Sequence, residues 1–296
     1  MALKLKPLRE QTMVITGASS GIGLTTARRA AREGARLVLA SRNGEALQEL
    51  VNELNSEGCP AFYVIADVAH PQEVENIARA AIERFGGFDT WVNNAGVSIY
   101  GRIEDVPLED HRRLFDTNFW GVVHGSLTAI RHLKQRGGAL INVGSEVSEI
   151  AIPLQGMYSA SKHAVKGFTD ALRVELQAEK APVSVTLIKP AGIDTMFVPH
   201  AKNYMKHEPK LPAPVYSPDV VADAIVFAAQ HAKRDIFVGG AARLAASLAH
   251  FAPGMTDRYL SRFMLKQQQR DAPARPLNDN ALHEAGLGLH QSPGRP

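Results

Sequence analysis

Short apolar runs alternate with helix-forming segments along most of this chain. The runs are solidly aliphatic and β-branched, which is typical of strands covered on both faces of a sheet. They lie at 12–16, 36–41, 61–68, 89–96, 138–145, 183–190 and 235–240. Segments with helical apolar spacing occupy 20–35, 44–58, 71–87, about 108–135, 157–178 and 217–230. This order predicts an α/β fold, a doubly wound parallel sheet of about seven strands in a single domain.

The carboxy-terminal part of the chain departs from this pattern. We expect the domain to cover 1–242, a helical extension to cover 243–265 and a poorly ordered tail to cover 266–296. The tail is rich in Pro, Gly and Gln and poor in aliphatic residues, which favours disorder. The extension is partly amphipathic and could pack on the domain, on another subunit or on a membrane surface. Its basic residues include Arg243, Arg258 and Arg262.

Composition excludes several classes of protein. The single cysteine, Cys59, permits no internal disulfide and suits a reducing compartment. The net charge of +3 is spread over scattered basic residues, which gives little support for nucleic-acid binding. No run approaches the roughly 20 apolar residues of a membrane helix, and "MALKLKPLREQ" lacks the continuous apolar segment of a signal peptide. We expect a cytoplasmic protein with no integral membrane segment.

A glycine cluster follows the first predicted strand. "TGASSGIG" places Gly17, Gly21 and Gly23 where that strand turns into a helix. Glycines permit a tight turn and a close approach of the backbone, and the helix amino terminus attracts a phosphate. Glycines at a turn are weak evidence alone, but this turn is the first strand-to-helix connection of a doubly wound sheet. The sequence therefore predicts a dinucleotide site here.

A tyrosine and a lysine stand four residues apart in "GMYSASKHAV", where they share one helix face. Such a pair is often an ordinary surface pair. A catalytic role has a physical basis, since an ammonium about 4 Å from a phenol contributes roughly 4 kcal/mol at an effective dielectric constant near 20. That energy would lower the pKa of Tyr158 by up to about 3 units from its usual value near 10. Tyr158 could then exchange a proton near neutral pH.

The glycine turn, "NNAG" (93–96) and "YSASK" (158–162) together resemble the short-chain dehydrogenase/reductase family over roughly 10–242, in its short single-domain form. The resemblance implies a Rossmann-like fold and hydride transfer between a nicotinamide cofactor and a carbonyl or secondary alcohol. It implies that Tyr158 is the general acid or base and that Lys162 holds the nicotinamide ribose. Ser145 would bind the substrate oxygen, with Ser148 as a nearby alternative. Asn118 would position a water that relays protons.

The resemblance also assigns the cofactor contacts. Asp67 and Val68 resemble the pair beside adenine, and "KPAGIDT" resembles the segment beside the nicotinamide. That segment departs from the usual Pro-Gly-x-x-x-Thr because Ala191 follows Pro190. The full set of expected cofactor-binding residues is Gly17, Ser19, Ser20, Gly21, Ile22, Gly23, Ser41, Arg42, Asp67, Val68, Asn94, Ala95, Gly96, Tyr158, Lys162, Pro190, Gly192, Ile193 and Thr195.

The end of the second strand indicates which nicotinamide cofactor is used. An acidic residue there suits NAD, and an arginine suits the 2′-phosphate of NADP. The sequence reads "LASRNGE", so Arg42 follows Ser41 and no acid stands at the strand end. A surface arginine that caps a loop is the alternative. We predict NADP(H), because a guanidinium can contact a phosphate through two hydrogen bonds.

The sequence says less about the substrate than about the cofactor. The loop "TMFVPHAKNYMKHEPKLPAPVY" (195–216) follows the sixth strand and could line an apolar pocket. Its candidate pocket residues are Met196, Phe197, Val198, Tyr204 and Met205. An ordinary surface loop is the alternative. We expect a hydrophobic, steroid-, retinoid- or lipid-like carbonyl or alcohol. No metal is expected, since His124, His200 and His207 lack ligand spacing with partners.

Two other functions fit the same fold. A nucleotide-sensing binding protein without catalysis would be expected to have lost part of the four-residue set, which is complete here. A sugar-nucleotide epimerase or dehydratase resembles a different glycine spacing, T-G-x-x-G-x-x-G, and a larger carboxy-terminal domain. The family resemblance further implies a homodimer or homotetramer joined through the helices at about 108–135 and 157–178.

Overall fold

A computed structural model describes residues 3–240 and 251–293. Its central sheet contains β1 (Thr12–Thr16), β2 (Arg36–Ser41), β3 (Ala61–Ile65), β4 (Thr90–Asn93), β6 (Gly138–Val143), β7 (Val183–Pro190) and β12 (Asp235–Val238). The spatial order is β3-β2-β1-β4-β6-β7-β12, and every neighbouring pair is parallel. The predicted doubly wound parallel sheet of seven strands is confirmed. The strand order reverses between β1 and β4, and ligands of such sheets bind at that point.

Helices cover both faces of the sheet, which explains the solid apolar strands. They are α1 (Gly21–Arg32), α2 (Gly44–Ser56), α3 (Pro71–Phe85), α4 (Leu108–Phe115), α5 (Gly121–Arg136), α6 (Gly156–Ala178) and α7 (Pro218–Gln230). Helices α1, α2 and α7 bury aliphatic side chains in one apolar cluster, and α3, α5 and α6 do so in a second. A π-helical turn at Asp116–Trp120 joins α4 to α5, within the segment predicted as one long helix.

Short strands build the region beyond the carboxyl ends of the sheet. They are β5 (Ile99–Tyr100), β8 (Gly192–Ile193), β9 (Lys202–Asn203), β10 (His207–Pro209) and β11 (Val215–Tyr216). β5 pairs with β9, and β8 pairs with β11. These pairings hold the 195–216 loop against the body of the protein, directly beside the end of β7.

The tail differs from its prediction as a poorly ordered segment. Strand β13 (Gln269–Pro273) pairs antiparallel with β10. Leu282 is fully buried, and full burial of a leucine side chain stabilises by about 1.5–3 kcal/mol. Gln268 and Ser292 are also buried. The prediction weighed average composition, whereas in this structure a few well-placed side chains and backbone hydrogen bonds hold residues 266–293 against the domain.

The predicted helical extension is described from residue 251 onward, and Arg243 lies outside the described residues. Helix α8 (Pro253–Tyr259) continues through a π-helical turn at Leu260–Met264 and a last turn at Leu265–Gln267. Large apolar side chains are exposed along this segment, at Phe251, Met255, Tyr259 and Phe263. Across 3–240 and 251–293, no helix combines the length and the apolar character needed to cross a membrane.

Candidate active site

The glycine cluster forms a tight turn at the end of β1. Gly17 and Gly21 have φ angles of +66° and +52°, which favour glycine. A Cβ atom on Gly23 would stand 2.1 Å from the carbonyl oxygen of Gly17, so the first turn of α1 lies directly on the backbone that precedes it. Ser20 precedes α1 in an extended conformation. The turn therefore presents backbone amides at the amino terminus of α1.

The end of β4 supports this turn. The side-chain amide of Asn94 donates to the carbonyl oxygens of Thr16, at 3.0 Å, and Gly17, at 3.1 Å. The hydroxyl of Thr16 accepts from the backbone amides of Asn94 and Ala95. Asn93 belongs to a buried network and donates to Asn142 at 2.8 Å. "NNAG" thus fixes the strand ends on both sides of the point where the strand order reverses.

The four expected catalytic residues meet at the carboxyl ends of β4 and β6. The ammonium of Lys162 is buried and donates to the carbonyl of Val143 at 2.9 Å. Asn118 is fully buried, and its side chain exchanges two hydrogen bonds with the backbone of Val97, at 2.8 and 2.9 Å. A Cβ on Gly96 would lie 3.4 Å from Asn118 Oδ1 and 3.9 Å from Lys162 Nζ.

Ser145 and Ser148 occupy different positions around Tyr158. The hydroxyl of Ser145 lies beside the phenol of Tyr158, where it opposes the rise in the pKa of that phenol, and it accepts from the amide of Val147 at 3.3 Å. The hydroxyl of Ser148 is buried and instead accepts from the backbone amide of Ser145 at 3.2 Å. The geometry therefore favours Ser145 over Ser148 as the serine that faces a ligand beside Tyr158.

The pKa of Tyr158 differs from its expectation. Burial raises the pKa of this phenol, and the hydrogen bond from Ser145 opposes the rise without cancelling it. Burial also lowers the pKa of Lys162 to about 8. Lys162 Nζ lies 5.8 Å from the centre of the Tyr158 ring. The direction is opposite to the lowering expected from the sequence, because desolvation of the phenolate is the largest influence on this pKa.

Glu146 is a titratable neighbour that the sequence reasoning missed. Burial raises its pKa from an ordinary 4.5 to about 7. Its negative charge contributes to the raised pKa of Tyr158, which places the two groups close together. The residue follows Ser145 directly in "GSEVS", but nothing in that pattern shows that the carboxyl is desolvated.

The buried carboxyl of Glu146 should make stability depend on pH. Its folded pKa of about 7 exceeds its ordinary 4.5, so the folded state binds the extra proton and loses stability as pH rises between these values. We expect the Glu146→Gln variant to unfold at a higher temperature than the parent by several degrees above about pH 7. The difference should shrink toward about pH 4.5.

Thermal unfolding across this pH range measures the effect. Glu45→Gln, at an exposed position on α2, is the matched control and should show no such trend. A constant difference between Glu146→Gln and the parent at all pH values would contradict the burial of the carboxylate.

Charged residues meet beyond β2 and β3, where the adenosine half of a dinucleotide is expected. Asp67 forms an ion pair with Arg113 of α4 and accepts from the amide of Ala69. Burial alone would raise the pKa of Asp67, but these hydrogen bonds and the charges of Arg113 and Arg42 lower it. The sequence reasoning missed Arg113, which lies 46 residues from Asp67 along the chain. Val68 packs against the start of α5, and its carbonyl accepts from His124.

The side chain of Arg42 forms its hydrogen bonds with the carboxy-terminal tail. Its guanidinium donates to the carbonyl oxygens of Ala281 at 2.6 Å, Leu282 at 3.2 Å and His283 at 3.1 Å. Residues 281–290, which we name the strap, cross the cleft from Arg42 to the glycine turn. The hydroxyl of Ser41 turns away from the strap and accepts from the amide of Asn43.

The expected nicotinamide segment lies opposite the glycine turn. Pro190 ends β7, and Gly192 and Ile193 form β8. A Cβ on Gly21 would stand 3.1 Å from the Cβ of Thr195, so this threonine closes the cleft over the start of α1. The departure from the usual motif at Ala191 does not displace Thr195 from the cleft.

The loop after β7 covers the tyrosine. The ring of Phe197 packs edge-on against Tyr158, with 5.2 Å between ring centres. Met196 and Val198 are buried. Tyr204 packs on the apolar cluster that contains Tyr158, and Met205 packs on a neighbouring one. The predicted apolar residues therefore lie around the tyrosine and beside it.

The cleft is lined by the kinds of residue that a dinucleotide site needs. It has a volume of about 180 Å³ and runs from Arg42 past the glycine turn to Phe197. Glycine backbone forms its floor, and strap residues form part of its wall. Most expected cofactor contacts lie along it, namely Gly17, Ser19, Ser20, Gly21, Ile22, Ser41, Arg42, Asp67, Val68, Asn94, Ala95, Gly96 and Thr195. Within residues 3–240 and 251–293, no group of acidic, histidine or cysteine side chains could hold a metal.

Comparison with known proteins identifies the family. The family model described as short chain dehydrogenase matches residues 11–205. The oxidoreductase YxnA of Bacillus subtilis is 49% identical over 291 residues, which cover 97% of this chain and 82% of that protein.

Solved structures agree with this assignment. A short-chain dehydrogenase/reductase from Burkholderia phymatum, in complex with NAD, is 25% identical with a TM-score of 0.76 and covers 92% of this chain and 100% of that chain. An alcohol dehydrogenase from Thermococcus sibiricus, complexed with 5-hydroxy-NADP, is 29% identical with a TM-score of 0.68. The match covers 77% of this chain and 95% of that chain. The chain therefore belongs to the short-chain dehydrogenase/reductase family of oxidoreductases.

Proposed function

We propose that this protein reduces a hydrophobic carbonyl compound to a secondary alcohol with NADPH, and that Tyr158 is the proton donor. The arrangement that supports this most directly is the phenol of Tyr158 beside Ser145 and the buried ammonium of Lys162. The cleft built on the glycine turn is lined by Phe197, which packs on Tyr158, and by Gly96, which lies beside Lys162. A reduced nicotinamide bound in the cleft would supply the hydride.

The raised pKa of Tyr158 suits a proton donor. A phenol with a raised pKa stays protonated at neutral pH and can donate its proton to a carbonyl oxygen as charge develops there. Ser145, which lies beside the phenol, is placed to donate a second hydrogen bond to the same oxygen. In the reverse direction, the ionised Tyr158 would take the proton of the alcohol.

Lys162 and Asn118 have supporting roles in the proposed reaction. Lys162 would hold the nicotinamide ribose, and its positive charge would stabilise Tyr158 in the ionised form left by proton transfer. With a pKa of about 8, Lys162 remains mostly charged at neutral pH. The side chain of Asn118 is engaged with Val97 and Ser161, so it orients the backbone beside the lysine.

The apolar surroundings of Tyr158 support a hydrophobic substrate. Phe197 packs on its ring, and Tyr204 and Met157 pack on the same cluster. A pocket of this kind gains affinity from apolar area rather than from polar groups. A steroid-, retinoid- or lipid-like carbonyl meets this requirement.

Cofactor consumption tests the proposal. We expect the parent protein to oxidise NADPH faster than NADH when offered hydrophobic ketones, as followed by absorbance of the reduced nicotinamide. Arg42→Glu should lower kcat/KM for NADPH by about 10- to 100-fold, because a charge-assisted hydrogen bond to the phosphate would be lost. The same substitution should change kcat/KM for NADH far less. Arg32→Glu, at an exposed position on α1, is the matched control. Equal use of both cofactors by the parent would contradict the NADP(H) assignment.

A homodimer or homotetramer joined through α5 and α6 is part of this proposal. Trp120 and Leu127 on the α5 side and Val174 on α6 are exposed at 48%, 43% and 60%. An interface on these helices would remove all three from water. The mass in solution by light scattering measures the assembly, and a monomer would contradict it.

A further inference from the structure

The strap makes hydrogen bonds at both ends of the dinucleotide cleft. At one end, three of its carbonyl oxygens accept from the guanidinium of Arg42. At the other end, the carbonyl of His290 accepts from the amide of Gly21 at 3.0 Å, and the amide of Leu289 donates to the carbonyl of Ser19 at 2.7 Å. Between them, Asn43 donates to the carbonyl of Gly286 at 2.9 Å.

Side chains hold the strap in this position. Leu282 is fully buried in the apolar cluster that contains Tyr158. Its backbone carbonyl also accepts from Arg113 at 3.1 Å. The next residue, His283, contacts Asp110 of α4 at 2.7 Å. A Cβ on Gly288 would stand 2.1 Å from the Cβ of Ala46, so the strap lies directly on α2.

These contacts use the donors that a dinucleotide needs. A guanidinium and a helix amino-terminal amide are phosphate-binding groups, and here carbonyl oxygens accept from both. The remaining cleft of about 180 Å³ is also smaller than the roughly 300–1,000 Å³ of most ligand sites. The same donors cannot serve the strap and a phosphate together.

We propose that the strap is an intramolecular competitor of the dinucleotide, which must release Arg42 and Gly21 before the cofactor binds. The proposal rests on the nicotinamide-dependent function above and adds its regulation. The apparent Kd rises as the fraction of molecules with a released strap falls. If the strap is bound in nine molecules of ten, cofactor binding would therefore be about tenfold weaker. Because Arg42 makes three of the contacts, the 2′-phosphate of NADP competes most directly.

Calorimetry with NADP⁺ on the full chain tests the competition. Gly288→Ala places a methyl group against Ala46 and should release the strap. Leu282→Asp should do the same by removing its apolar anchor. We expect both variants to bind NADP⁺ about tenfold more tightly than the parent. Gly254→Ala is the matched control, since a Cβ there meets nothing within 4 Å, and it should bind like the parent.

Hydrogen exchange gives a readout independent of activity. The amide of Leu289 is bonded to Ser19, so saturation with NADP⁺ should speed its exchange and that of the rest of the strap. Slower exchange, together with weaker binding by the two variants, would overturn the proposal and show a strap that closes over the cofactor. Equal affinity in all variants with unchanged exchange would also overturn it, while leaving the proposed function intact. Failure of the parent and the released variants to bind any nicotinamide dinucleotide would overturn the proposed function as well.

Discussion

Turnover of the Tyr158→Phe variant is expected to fall by about 10²- to 10⁴-fold, the usual contribution of a positioned general acid. The substitution removes one hydroxyl and keeps the ring that packs against Phe197. We therefore expect the melting temperature and the Kd for NADP⁺ to stay close to those of the parent. Steady-state rates with a hydrophobic ketone, calorimetry and thermal unfolding measure the three quantities.

Tyr63→Phe is the matched control for this experiment. Tyr63 lies on β3, and its hydroxyl donates to Gln48 at the surface, remote from the cleft. Its loss should leave turnover unchanged. If Tyr158→Phe retained more than about a tenth of parental turnover, Tyr158 would not be the proton donor.

Gly23→Ala is expected to abolish measurable cofactor binding and to destabilise the fold. The added methyl group would stand 2.1 Å from the carbonyl oxygen of Gly17 and 2.7 Å from the side-chain amide of Asn94. Backbone cannot yield as a flexible side chain does, so the turn must move. Forced overpacking typically costs about 1–3 kcal/mol, which lowers the melting temperature by roughly 2–10 °C for a chain of this size.

Gly167→Ala supplies the control for a glycine replaced within a helix. Gly167 lies on the exposed side of α6, and a Cβ there meets no atom within 4 Å. This variant should be as stable as the parent or more so, since alanine favours helix over glycine by about 0.5–1 kcal/mol. Normal NADP⁺ affinity in Gly23→Ala would mean that the glycine turn does not hold the dinucleotide.

The fold could be predicted because its signals are local. Each strand of the central sheet lies in a largely apolar run, and a glycine follows α1, α2, α3 and α5 within two residues of their ends. The glycine turn and the Tyr158–Lys162 pair are short motifs, so the sequence alone placed them at one edge of the sheet. Arg42 was likewise predicted to line this cleft, and it does.

The features that the sequence did not reveal depend on distant partners. Arg42 and the strap are about 240 residues apart, and the groups that Arg42 contacts are backbone carbonyls, which every residue possesses. The raised pKa values of Tyr158 and Glu146 depend on burial, which four-residue spacing does not determine. The identity of the side chains predicted where charged groups lie. How far each charged group is exposed to water depends on packing, which the sequence does not show.

The π-helical turn at Asp116–Trp120 has a consequence for changes in chain length. This turn holds one residue more than an α-helical turn, and Asn118 lies at its centre. Deletion of one residue here would allow α4 and α5 to continue as a single regular helix. Because the wider turn absorbs the extra residue, the side chains of α4 and α5 would keep nearly their present faces, and the change would fall on the turn itself. Asn118, at the centre of the turn, would then lose its present position beside Val97. Homologous sequences that align here with a one-residue gap should therefore support the backbone at Val97 by other means.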